Sequence, residues 1–180
     1  MIRKSLFATA AVLSTALFLA TPSQVEAQVT FSPKVSYASD NIDLGIGLRV
    51  ATPLGALLQV EDGFLSELTG FADLDYFFPD CGTGCDFDYF EIAAGAAYPI
   101  VVDATVQPYV GAGLIYSNIS FDLPGDFPGF PFGDSDSEIS LNLLGGLGFD
   151  LGPLDAFSEV RIELGGAELF VVSLGATFGG

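Results

Sequence analysis

The chain has 180 residues, with 23 Asp and Glu against five Lys and Arg, a net charge of −18 at pH 7. Phosphate backbones are held by clustered Lys and Arg, so nucleic acid is excluded as a partner. Histidine is absent, which removes every Ser-His and Cys-His nucleophile system.

The N-terminus reads as a secretory signal. Arg3 and Lys4 form a basic n-region, Leu6 to Ala20 is uncharged and apolar, and Val25-Glu26-Ala27 supplies a cleavage site. An uncleaved anchor helix is the other reading, but the apolar run is shorter than the roughly 20 residues a spanning helix needs. Cleavage is expected after Ala27. That makes 1–27 a signal peptide and 28–180 a single domain, with three basic and 22 acidic residues and a net charge of −19. So acidic and lysine-poor a composition suits high salt, where screening weakens self-repulsion, and points to a halophilic source. Mean hydropathy is +0.53, yet no apolar run after residue 27 is long enough for a membrane helix. The hydrophobicity is therefore distributed, as alternating strands distribute it.

Beyond Gln28 the pattern has period two, and no segment holds helical periodicity over several turns. Eight strands are predicted, over 28–38, 41–52, 66–78, 87–99, 106–121, 137–151, 155–165 and 168–178. In the second, Ile42, Leu44, Ile46, Leu48 and Val50 share one face; Asp43, Gly45, Gly47 and Arg49 share the other. The strands are near or above the roughly 9–11 residues that cross a membrane when tilted, and an even number puts both termini on one side. With a periplasmic N-terminus, the connections 53–65, 100–105 and 152–154 face the periplasm. Asp62-Gly63 is a strong hairpin signal, so the second strand is expected to continue past Pro53 toward Glu61.

Alternation alone does not separate a membrane barrel from a soluble one that binds a small apolar ligand; the face opposite the apolar one decides. A wet face is dense in Lys, Glu, Gln and Thr. Here it carries Gly45, Gly47, Gly95, Gly111, Gly113, Gly146, Gly148 and Gly175 with a few charges, which suits the packed interior of a narrow eight-stranded barrel. The apolar face carries Phe31, Tyr37, Tyr76, Phe78, Phe90, Tyr98, Tyr116, Phe170 and Phe178 toward strand ends, like an interfacial girdle without Trp. The expected fold is an all-β, eight-stranded antiparallel up-and-down transmembrane barrel. Its lumen is predicted to hold Lys34, Arg49, Glu67, Asp73, Asp75, Glu91, Asp150, Glu159, Arg161 and Glu163. Buried charges need partners. Arg49 and Arg161 are each expected to neutralise at least one inward carboxylate, Arg161 having Glu159 and Glu163 beside it and Asp150 or Glu67 from adjacent strands. Acids outnumber bases, so some carboxylates are near water, protonated or cation-bound.

The segments EIAAGAAYPI (91–100), QPYVGAGLIYS (107–117) and VVSLGATFGG (171–180) resemble the small outer-membrane β-barrels of the OmpA/OmpX-like superfamily. The resemblance covers most of 28–180 and specifies a fold rather than an activity. It implies the cell outer membrane as location, and outer-membrane lipid and the barrel assembly machinery as partners. It extends to the barrel only, with no peptidoglycan-binding domain expected. The family usually ends on an aromatic residue that the assembly machinery reads; here two glycines follow Phe178. Lacking His, the chain does not look like the His-dependent deacylases, phospholipases and proteases built on such barrels.

Two loops carry further chemistry. Cys81 and Cys85 in DCGTGCD read as a disulfide-closed loop tip in an oxidising compartment, because two thiols without His make an incomplete zinc set. The loop 122–138 is a proline-stiffened, solvated connection on its bland reading. Its sharper reading is a Ca²⁺ or Mg²⁺ contact through Asp122, Asp126, Asp134, Asp136 or Glu138, without the spacing of an EF-hand. No catalytic residues and no cofactor are expected. The sequence points to a non-enzymatic envelope protein with a structural, surface-interaction or narrow-channel role.

Overall fold

Eight antiparallel strands pair in sequence order, and the first pairs with the last, so the sheet has no free edge. The computed structural model describes residues 29–39, 42–78, 86–102, 104–122, 135–152, 154–165 and 169–179. The strands are β1 (Thr30–Ala38), β2 (Asp43–Pro53), β3 (Thr69–Phe77), β4 (Asp86–Pro99), β5 (Val106–Asp122), β6 (Ser135–Asp150), β7 (Asp155–Leu164) and β8 (Phe170–Thr177). Closure runs from Lys34 opposite Gly175 to Ala38 opposite Val171. Phe31 and Phe178 exchange two backbone hydrogen bonds of 2.9 Å below that register. A closed ladder satisfies the backbone internally, which a hydrocarbon environment demands.

The alternation sorts side chains as the sequence implies. Val35, Leu44, Ile46, Leu74, Leu114 and Leu174 point outward and are each at least 50% exposed, whereas Ser32, Lys34, Asp75, Glu91 and Arg161 point inward and are buried. Water-soluble proteins do the reverse. Phe31, Tyr37, Tyr76, Phe78, Tyr116, Phe170 and Phe178 are all exposed on the outer wall.

The connection between β2 and β3 differs from the expectation. The second strand stops at Pro53 and does not run on to Glu61. A helix, α1 (Leu54–Leu58), follows at once, then a 3-10 turn over Phe64–Glu67. Proline has no N–H for the next ladder bond, and the Leu and Ala that follow favour helix. Gly63 does turn the chain, at φ 98°, but into the 3-10 turn rather than a hairpin. The third strand begins at Thr69, three residues later than predicted.

Both described chain ends lie at the same rim as this connection. The opposite end of the bore is filled by an apolar cluster of Ala38, Ile42, Phe77, Tyr89, Leu169 and Val171, with Ile119 packed against it. The rings of Phe77 and Tyr89 lie 5.6 Å apart there. Cys81, Cys85 and most of the 122–138 loop fall outside the described residues; Asp136 and Glu138 are exposed at the start of β6.

The wall is close-packed where Gly95 on β4 faces Gly113 on β5. A Cβ at Gly95 would lie 2.3 Å from the Ala112 carbonyl oxygen and 2.7 Å from both the Gly113 Cα and the Phe71 ring. Gly95→Ala is expected to lower stability by about 1–3 kcal/mol through overpacking. Gly145→Ala, whose new methyl would meet the Tyr109 carbonyl oxygen at 3.8 Å, is expected to stay within ~0.5 kcal/mol of the parent. Urea unfolding midpoints in lipid vesicles read both.

Candidate functional site

Strand parity brings eight charged side chains into the middle of the bore. Lys34 comes from β1, Arg49 from β2, Asp73 and Asp75 from β3, Glu91 from β4, and Glu159, Arg161 and Glu163 from β7; all are buried. They form one network. Arg49 is held on both sides. Its Nε and Nη2 donate to the two oxygens of Asp73, each at 2.7 Å, and its Nη1 and Nη2 donate to the two oxygens of Glu159 at 2.7 and 2.8 Å. Paired donation of this kind is the strongest arrangement available to a guanidinium. The Arg49 guanidinium also lies 4.8 Å from the Phe71 ring centroid and 5.2 Å from that of Phe157, within cation–π range of both.

Lys34 Nζ sits 2.9 Å from both Asp73 and Asp75 and so joins the Arg49 group to a second one. There Arg161 meets Asp75 at 3.2 Å, Glu163 at 3.1 Å, and Glu91. Asp75 and Arg161 belong to strands four places apart on a ring of eight, so their contact crosses the bore. Space for it is made at Gly47, where a Cβ would lie 2.1 Å from Asp75 Oδ1 and 2.9 Å from Lys34 Cε.

Acids still exceed bases five to three. Two phenols supply neutral donors to the surplus. Tyr89 donates to Glu91 Oε1 at 2.7 Å and Tyr109 to Glu159 Oε2 at 2.9 Å. Some buried polar atoms have no hydrogen-bond partner among the described residues, including Asp75 Oδ1, Arg161 Nε and both polar side-chain atoms of the fully buried Asn142. Below Arg49, toward the rim that holds the chain ends, a recess of about 200 Å³ opens between Phe71, Tyr109 and Phe157. Among the described residues no group of three or more His, Cys, Asp or Glu side chains is placed to hold a metal ion.

Eight of the ten residues predicted for the lumen are thus in one network, and two are not. Glu67 is exposed in the 3-10 turn, outside the barrel proper, and hydrogen-bonds Tyr98. Asp150 is exposed at the end of β6, where its Oδ1 accepts the Gly152 N–H at 2.8 Å and shapes the turn. Neither approaches Arg161. Parity along a strand assigns a face, but only a central height on the barrel assigns burial. Of the two neighbours of Arg161 on its own strand, Glu163 pairs with it and Glu159 pairs with Arg49 instead. Tyr89 and Tyr109 are absent from the lumen set that the sequence predicts, which is drawn from ionisable acids and bases alone. The available signal was parity, since Tyr89 is two residues from Glu91 and Tyr109 two from Gly111.

Removing one side of a buried ion pair strands the other. Arg161→Ala leaves Asp75, Glu91 and Glu163 without their shared cation and is expected to cost about 3–5 kcal/mol. Asn142→Leu removes a buried amide that has no partner and is expected to be neutral or stabilising. Urea titration of both variants in lipid vesicles checks the contrast. Equal midpoints for Arg161→Ala and the parent would mean that water screens the network.

No family model and no curated protein matches the chain. Solved structures do. The chain is similar to Neisserial surface protein A (NspA), at 21% identity and a TM-score of 0.55, with 83% of this chain and 93% of that one covered. It is similar to the N-terminal β-barrel domain of Pseudomonas aeruginosa OprF, at 16% identity and 0.62, covering 87% and 100%. It is similar also to Ail, the attachment invasion locus protein of Yersinia pestis, at 15% identity and 0.55, covering 87% and 98%. Its fold is that of the small eight-stranded outer-membrane barrels of the OmpA/OmpX-like type.

Proposed function

We propose that this protein is a non-enzymatic outer-membrane barrel with a closed bore, acting as a structural or surface-interacting element of the envelope rather than as a channel. The observation that carries this is the contact between Asp75 on β3 and Arg161 on β7. Opposite walls touch through an ion pair in the middle of the barrel. The double grip on Arg49 lies on one side of it and the apolar cluster around Phe77 on the other. An eight-stranded barrel has an interior just wide enough for side chains, and here they occupy it.

Location follows from the outer wall. Exposed leucines, isoleucines and valines ring the barrel with Tyr and Phe toward the strand ends, as on a lipid-facing surface. A soluble barrel that binds an apolar ligand needs the opposite polarity. Absence of catalysis is supported by the sequence, which has no His, and by the network, whose three cations are all committed to carboxylates.

The protein is expected to stay with the membrane fraction through a carbonate wash and to need detergent for release. Release by carbonate alone would sink the transmembrane reading. In planar-bilayer recording the refolded protein is expected to give no reproducible conductance steps. Stable unitary steps would replace the closed-bore reading with that of a narrow channel.

A further inference from the structure

Residues 54–68 fold back over the outer wall of the barrel. Leu54 begins the segment and its Cδ2 lies 2.5 Å from where a Cβ on Gly70 would stand. Gly70 alternates with Phe71, whose ring lines the interior recess, so Gly70 belongs to the outward face of β3. Further on, Phe64 stacks on Tyr98, with ring centroids 5.7 Å apart and planes 20° from parallel. Tyr98 follows the recess-lining Ala97 and so faces outward from β4. Backbone hydrogen bonds close the segment on itself, from Leu54 N to Leu68 O at 2.8 Å and from Val60 N to Gly55 O at 2.9 Å.

That compact unit exposes its apolar side chains. Leu57 is 59% exposed, Leu58 52%, Phe64 65% and Leu65 47%. Its charges are acidic only: Glu61, Asp62 and Glu67. Four half-exposed side chains present on the order of a few hundred Å², below the roughly 800 Å² that each partner contributes to a stable protein interface. They are continuous with the apolar outer wall through Phe64 and Tyr98. A short amphipathic segment lying against a lipid-facing wall at its rim has the character of an interfacial anchor.

We infer that residues 54–68 form a lipid-interface anchor, in which Leu57, Leu58, Phe64 and Leu65 enter the boundary between headgroups and acyl chains at the rim holding the chain ends. The inference rests on the transmembrane reading of the barrel. Its occupant is phospholipid, and zwitterionic headgroups suit an acidic segment better than anionic ones. The anchor fixes the height of the barrel in the bilayer at one rim, as interfacial aromatic residues do.

The chain contains no Trp, so one introduced indole reports its own position. Leu57→Trp, Leu58→Trp and Phe64→Trp are separately refolded into phosphatidylcholine vesicles, each variant checked for the β-sheet circular dichroism of the parent. Three sites keep the test alive if one variant fails to fold. Leu114→Trp, midway along β5 on the outer face, marks the hydrocarbon centre. Lipid brominated close to the headgroup is expected to quench the three segment indoles about twofold or more, and lipid brominated near the acyl terminus to quench them less, as for an interfacial indole. Leu114→Trp is expected to show the opposite order. Segment indoles quenched by aqueous iodide and by neither brominated lipid would overturn the anchor while a quenched Leu114→Trp upheld the transmembrane barrel. Segment emission that follows the protein-to-lipid ratio and ignores bromine would also overturn it, in favour of a second copy of the chain. Loss of lipid quenching at Leu114→Trp as well would bring down the transmembrane reading with it.

Discussion

The bore of an eight-stranded barrel is one side chain deep, and that constraint governs the rest of the molecule. A charge pointing inward has to find its counter-charge on another inward-pointing side chain. In this chain the solution is ionic. Lys34, Arg49 and Arg161 are shared among five carboxylates, so that no cation in the bore has a single partner. The sharing ties β1, β2, β3, β4 and β7 into one unit. Removing Arg161 strands Glu91 and Glu163, and removing Arg49 strands Glu159, whereas Asp73 and Asp75 each keep a second cation if Lys34 is lost. That makes the two arginines far more sensitive than any single residue of the outer wall.

The same constraint explains the glycines. Where large side chains such as Phe71 and the Arg49–Asp73 pair fill the bore, facing positions are empty of side chain. Gly95 accepts the Phe71 ring, Gly47 accepts the Asp75 carboxylate, and Gly175 accepts the Phe157 ring. Bulk on one strand is matched by its absence at the paired position of the adjacent one. The outer wall obeys no such rule, because lipid accommodates any apolar shape. Its sequence is accordingly a loose mixture of Leu, Ile, Val and aromatics.

This division sets what the sequence reveals. Strand number, the sense of the alternation and the inward placement of Lys34, Arg49 and Arg161 are all legible, because period two depends only on local backbone geometry. Contacts across the bore are not. Which acid meets Arg161 depends on the stagger with which β1 closes on β8, and that is a property of the whole ring. Of the two acids beside Arg161 on its strand, Glu163 pairs with it and Glu159 with Arg49 for that reason. Strand ends are the other weak point. Asp150 and Glu67 have lumen-like chemistry, but near a rim the inward direction leads to solvent or to a turn. The five residues of α1 carry too little periodicity to be read as helix, and the Asp62-Gly63 pair beyond them imitates a hairpin.

With its centre sealed by charge and one end by an apolar cluster, the barrel offers its surroundings only walls and rims. The wall meets lipid without discrimination, since apolar contact has no direction. Directional polar contacts are left to the rims, where the backbone leaves the ladder and polar groups meet water. The two rims differ in kind. The one with the chain ends is built of short connections and one compact apolar segment stacked on Tyr98, which suits it to holding the barrel at a fixed depth. The opposite rim sits above the Phe77–Tyr89 cluster, an apolar floor that meets the ionic network through the Tyr89 hydroxyl, which donates to Glu91 at 2.7 Å.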